Sequence, residues 1–193
     1  MRRFYTADLR LGDATIIASA RRPFIDVDEM DDALIHSVND SVDRGDELWI
    51  LGDLSTGDLG RAIDRASALN GRKRLLLGEL DPASALAARA GRDQAIAAFA
   101  DAGIEVIDAH WLRETIDGAD VLVSHLPYMG YTEDVPIDNA PVYSGLPLIH
   151  GHGYGSARLR PKQFNVGVDV NWFAPVPEEQ IRAWVHGGAG IRA

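Results

Sequence analysis

Short, almost wholly apolar runs alternate along this chain with longer segments whose apolar residues recur every three or four positions. That alternation constrains the fold more than any other feature. A run that is apolar at nearly every position suits a strand buried on both faces, and such strands belong to largely parallel sheets covered by helices. Glu47-Leu48-Trp49-Ile50-Leu51, Leu75-Leu76-Leu77, Leu148-Ile149-His150 and Phe164-Asn165-Val166-Gly167-Val168 read as strands of this kind, with Phe4–Asp8 as the first. Ile104-Glu105-Val106-Ile107 and Trp111-Leu112 are expected in a second sheet region, followed by Val121-Leu122-Val123-Ser124-His125. Between the runs, Asp28–Val42 puts Met30, Ala33, Leu34, Val38 and Val42 on one helical face. Residues 59–69, 82–102 and 177–186 read as further helices. The acidic group Asp28, Glu29, Asp31 and Asp32 is expected on a solvated face near the positive end of its helix. Trp49 and Trp184 are expected in the core, and His36, His110 and His186 at the surface.

The chain has 193 residues, a length that suits one α/β domain over 1–193, and no repeat or linker interrupts it. Its formal net charge of −10 argues against a nucleic-acid partner, because neutralising phosphates needs a clustered basic surface. Arg72-Lys73-Arg74 is the one short basic run. A metal site that handles phosphate is still compatible with this charge, since the cation supplies the positive potential. The absence of cysteine removes disulfides, thiolate nucleophiles and Cys-type zinc sites. With no signal-peptide pattern and no apolar run of about 18 residues, a cytoplasmic protein without a membrane partner is expected.

Polar residues mark the ends of the apolar runs. Asp8, Asp53, Glu79, His125 and His152 each close or follow one, and ligands of open α/β sheets bind outside the carboxyl ends of the strands. Two imidazoles and several carboxylates make a mixed nitrogen and oxygen donor set suited to zinc, manganese or iron. The loop over 126–145 carries Tyr128, Tyr131 and Tyr143, which could stack on a ligand or simply pack the loop.

The ordered series Phe4-Tyr5-Thr6-Ala7-Asp8-Leu9, Leu11-Gly12, Arg22-Pro23-Phe24, Leu51-Gly52-Asp53, Asn70-Gly71-Arg72, Ser124-His125-Leu126-Pro127, His150-Gly151-His152 and Asn165-Val166-Gly167-Val168-Asp169 resembles the calcineurin-like metallophosphoesterases, in particular small bacterial and phage-type members. The resemblance spans almost the whole chain. It implies two packed β-sheets flanked by helices, an α/β/β/α sandwich. It also implies a centre of two metal ions bridged by an aspartate, here Asp53. Asp8 then corresponds to a ligand of the first metal, and Glu79, His125 and His152 to ligands of the second. His150 is expected to hydrogen-bond behind them. Several family histidines are replaced: Arg10 and Tyr154 stand at first-metal positions, Leu80 at the catalytic histidine, and Asp13 at a further one.

Arg10 keeps its proton and repels a cation, and Leu80 has no proton to give. The reading that follows is a degraded centre, a pseudoenzyme with phosphoester hydrolysis lost or very weak. Such a chain would bind a protein partner or a phosphate-containing ligand. The alternative is a mononuclear phosphodiesterase or phosphatase, in which Asp53, Glu79, His125 and His152 hold one Mn²⁺ or Zn²⁺ and Arg10 stabilises the phosphoryl group. A metal-free core in which Glu79 pairs with Arg10 is a third arrangement compatible with the sequence.

Overall fold

The structure, a computed structural model, describes residues 1–56, 58–84, 89–129, 139–153 and 157–187. The first half of the chain forms β1 (Arg3–Thr6), α1 (Ala14–Ser19), α2 (Val27–Ser41), β2 (Glu47–Leu51), α3 (Leu59–Ser67), β3 (Arg72–Leu76), α4 (Arg89–Asp101) and β4 (Ile104–Ile107). The second half forms β5 (Trp111–Ile116), β6 (Ala119–Ser124), β7 (Leu148–His150), β8 (Leu159–Arg160), β9 (Gln163–Asn165), a 3-10 turn at Val168–Val170, β10 (Val176–Pro177) and α5 (Glu178–His186). Two five-stranded sheets result, in the orders β10-β1-β2-β3-β4 and β5-β6-β7-β9-β8. Strands β1 to β4 are parallel, and β10 runs antiparallel to β1.

Alternation along these strands explains why they read as continuous apolar runs. Phe4, Leu48, Ile50 and Leu75 turn to one face, where Ile16, Met30, Leu34, Val38, Ala62, Ala66 and Phe99 of α1 to α4 cover them. Tyr5, Trp49, Leu51 and Leu76 turn to the other and meet Val121, Val123, Ile149 and Phe164 of the second sheet. Both faces of the first sheet are therefore covered where these apolar residues lie. Ile181 and Trp184 of α5 close the same inter-sheet core, with Trp184 edge-on to Phe164 at 5.4 Å between ring centres. The fold is thus two sheets flanked by helices. Among the described residues no helix is long and apolar enough to cross a membrane.

Two expectations need correction. Ile104–Ile107 belongs to the first sheet, where Leu75 sits opposite Val106. The reason is the βαβ crossover: Ala95 and Phe99 of α4 pack into the helix-side core and set β4 beside β3, parallel to it. Asp31 is also not solvated. It is buried and accepts from the Gly12 amide at 3.0 Å, Arg61 Nη2 at 3.0 Å and Arg65 Nε at 3.1 Å, joining α2, α3 and the loop after β1. The basic run is spent internally. Arg72 binds Glu47 and Arg74 binds Glu105, each at 2.9 Å, while Lys73 Nζ donates to the Leu69 carbonyl. Tyr128 is buried, donates its hydroxyl to the Leu146 carbonyl and packs edge-on against Tyr143. Tyr131 lies outside the described residues.

Candidate metal centre

The centre lies where the carboxyl ends of β1, β2, β6 and β7 meet. The backbone bends sharply there: Asp8, Arg10, Asp53 and His152 all take positive φ, at 60°, 54°, 51° and 48°. Left-handed backbone at a residue with a side chain costs roughly 1–2 kcal/mol, and such strain collects at functional sites. The strained turns are tied to one another. The Asp8 amide donates to the Gly52 carbonyl at 3.1 Å, the Arg10 amide to the Asp53 carbonyl at 2.9 Å, and the His152 amide to Asp8 Oδ1 at 3.2 Å.

Asp53, His125 and His152 each place one ligand atom within 4.8 Å of the others. His125 Nδ1 donates to the Leu51 carbonyl at 2.8 Å, which fixes the tautomer and turns Nε2 inward. Nε2 is buried without a hydrogen-bond partner among the described residues and stands 3.6 Å from Asp53 Oδ1. A backbone carbonyl behind the ring and a bare nitrogen in front is the arrangement that orients a metal-binding histidine. Burial opposes protonation of His125, but the Asp53 and Asp8 carboxylates outweigh it and hold its pKa above the ordinary value. The donor set of two nitrogens and a carboxylate oxygen fits one divalent ion of the zinc or manganese kind.

Among the described residues no second group of donors is brought together in this way. Arg10 donates from Nε to Asp13 Oδ2 at 2.9 Å, pairs with the same carboxylate through Nη2, and brings Nη1 to 3.7 Å from Asp53 Oδ2. A guanidinium therefore lies beside the Asp53 carboxylate, where its charge opposes a further cation. Asp13 also caps α1, accepting from the Thr15 amide at 2.9 Å and its hydroxyl at 2.6 Å. Burial alone would raise the Asp13 pKa, yet the bonds from Thr15 and Arg10 hold it below the ordinary carboxylate value.

The remaining sequence candidates fall at varying distances from this cluster. Glu79 is exposed on the loop after β3, outside the three-residue group. Leu80 is 42% exposed, and only its amide reaches the centre, donating to Asp53 Oδ1 at 3.1 Å. His150 is buried with Nδ1 2.6 Å from the Gly151 carbonyl, and burial pushes its pKa down to about 4. Tyr154 lies outside the described residues. Sequence reasoning missed Asp81 as a part of the centre. Its carboxylate accepts from the amides of Gly78 at 2.8 Å, Asp53 at 3.0 Å and Ser55 at 3.3 Å, which clamps the ends of β2 and β3 together. An Asp three residues after a glycine at a strand end was the available signal, since such a side chain often closes a turn on nearby amides.

Burial, followed by the charge of Asp53, raises the pKa of Asp81 to about 7. Burial likewise raises Asp8 to about 7, with His125 acting against it. Both folded values lie above the ordinary 3.8, so the folded chain holds more protons than the unfolded one between those limits. Their contribution is present at low pH and fades as pH rises through 7. His150 works oppositely: its stabilising share is present above 6.5 and fades as pH falls towards 4. Asp8, Asp81 and His125 favour the lower pH and only His150 and His152 the higher, so the chelator-treated protein is expected to melt at a higher temperature at pH 6 than at pH 8. Saturating Mn²⁺ should reverse that order, because metal ligands bind deprotonated. A chelated protein that melts lower at pH 6 would contradict this charge balance.

No protein-family profile matches the chain. It is 31% identical over 195 residues to the Gene 66 protein of Mycobacterium phage D29, covering 95% of each chain. It is also 31% identical over 194 residues to the Gene 66 protein of Mycobacterium phage L5, covering 92% of this chain and 91% of the other. Among solved structures, that of AQ665, a protein of unknown function from Aquifex aeolicus, superimposes with a TM-score of 0.65 at 20% identity, over 93% of this chain and 97% of that one. That likeness is one of fold. An overlap with an archaeal phosphodiesterase, at a TM-score of 0.43 and 16% identity over 86% of this chain and 82% of that one, is too loose to carry an argument.

Proposed function

We propose that this chain, which belongs to the family of the Gene 66 proteins of Mycobacterium phages D29 and L5, is a metallophosphoesterase-like protein that binds one divalent ion together with a phosphate-bearing ligand and has lost most phosphoester hydrolysis. The observation that carries this reading is the pairing of a three-donor cluster, Asp53, His125 and His152, with an Arg10 guanidinium 3.7 Å from Asp53. A bound ion would supply Lewis acidity and attract phosphoryl oxygens. Arg10, whose Nε and Nη2 bond to Asp13, would bring its positive charge near the same oxygens from the Nη1 side. Nothing on the Leu80 side chain can protonate a leaving group, and general-acid catalysis alone is worth about 10²–10⁴-fold in rate. Binding without efficient turnover is what these residues support best.

Elemental analysis of protein purified without chelator and dialysed against Mn²⁺ or Zn²⁺ tests the reading. About one ion per chain is expected, lost in His125→Ala, with inorganic phosphate binding only to the loaded protein and no measurable turnover of a phosphodiester panel. Two ions per chain would overturn the role given to Arg10. One ion with rapid metal-dependent hydrolysis, abolished in Asp53→Ala, would replace the binding function with the mononuclear enzyme.

A further inference from the structure

We propose that the cavity beside the metal centre is a subsite for the hydroxyl-bearing ring of a sugar phosphate, whose phosphate lies towards Arg10 and the ion. The proposal rests on the reading above. His125 belongs to both places: it lines the cavity, its side chain is 3% exposed, and its Nε2 is buried without a partner among the described residues. The ligand's phosphate and its organic part would therefore meet at one imidazole.

Size, charge and surface chemistry narrow the organic part. The cavity holds about 230 Å³, below the roughly 300–1,000 Å³ of sites for drug-sized ligands, so it suits a single ring rather than a dinucleotide or a strand. Arg92 is the guanidinium in the described lining, and it is already paired with Asp108. Among the described residues a second phosphate would meet only this already paired cation and would face the Glu79 carboxylate. Ser84, Asn139, Glu79 and Asp108 instead offer hydroxyl, amide and carboxylate groups, an acceptor-rich set that suits sugar hydroxyls. Carboxylates are used in this way on ribose hydroxyls in dinucleotide sites. The described lining has no Phe, Tyr or Trp ring on which a base could stack.

Calorimetric titration of the metal-loaded full chain with inorganic phosphate, ribose 5-phosphate and pyrophosphate tests this assignment. Ribose 5-phosphate is expected to bind about tenfold more tightly than inorganic phosphate, the worth of one or two added hydrogen bonds. The Ser84→Ala/Asn139→Ala double variant should lose that advantage while keeping the wild-type affinity for inorganic phosphate. Equal affinity for the two, tighter binding of pyrophosphate, or a variant that weakens both ligands alike would overturn the subsite and leave the phosphate-binding function standing. Failure of inorganic phosphate to bind at all would remove that function, and the subsite with it.

Discussion

Gly52→Ala is expected to cost about 3–5 kcal/mol of stability and to abolish metal binding, whereas Gly103→Ala should cost only about 1–2 kcal/mol and leave the metal in place. The two glycines share a left-handed backbone, at φ +83° and +75°, so the conformational penalty of adding a side chain is similar. Their surroundings are not. A Cβ at position 103 meets nothing within 4 Å, but at position 52 it would lie 2.3 Å from His125 Nδ1 and 2.8 Å from Gly78 Cα. The imidazole cannot swing aside cheaply, because its 2.8 Å bond to the Leu51 carbonyl would break and leave a buried acceptor unpaired. Gly78 cannot retreat either, since its amide is held by Asp81 at 2.8 Å. Urea denaturation and metal analysis of both variants would check the contrast. Equal losses at the two positions would mean that backbone strain alone governs Gly52 and that the close approach of His125 is not rigid.

The strands were legible because their physics is local. Residues buried on both faces must be apolar at almost every position, and Glu47–Leu51 and Leu148–His150 carry that requirement in their own sequence. Elements whose stability comes from elsewhere were not legible. The two-residue strands β8 and β10 have too few side chains to show a period, and only their pairing with β9 and β1 defines them. Helix α1, Ala14–Ser19 behind the Asp13 cap, is six residues long, too short to show a helical period. Sheet membership of β4 depends on the α4 crossover, a long-range matter that its four residues do not encode.

The centre divides along the same line. Asp53, His125 and His152 follow strand ends, so a strand reading places them at one edge of the sheets, where they are found together. Glu79 satisfies the same positional rule and is exposed on the loop after β3, where its charge still acts on His152. Arg10 faces Asp53 as its place two residues beyond Asp8 suggests, but its nearer partner is Asp13, three residues on. That pairing changes the meaning of Asp13. Its carboxylate holds the guanidinium and the first turn of α1 together, and it does so while depressed below the ordinary carboxylate pKa.

Arg22→Met is expected to cost about 3–5 kcal/mol, the range for removing one partner of a buried ion pair. The Arg22 side chain is fully buried, and its fork spans Asp169 through Nε at 2.9 Å and Nη2 at 2.8 Å. The same guanidinium donates to the backbone carbonyls of Asp8 at 2.6 Å and Leu9 at 3.0 Å. Methionine fills much of the volume but leaves the Asp169 carboxylate and two carbonyls short of a donor. Those carbonyls belong to the turn that carries the left-handed Asp8 and Arg10, so the strain of that turn is held in place partly from behind. Arg22→Lys should rescue little, because a single ammonium cannot reproduce a planar fork that meets a carboxylate and two carbonyls at once. Urea denaturation measures both variants. Recovery of more than half the loss by lysine would show that the charge of Arg22 matters and its geometry does not, and the turn would then have to be held by its other bonds, among them those to Gly52, Asp53 and Leu54.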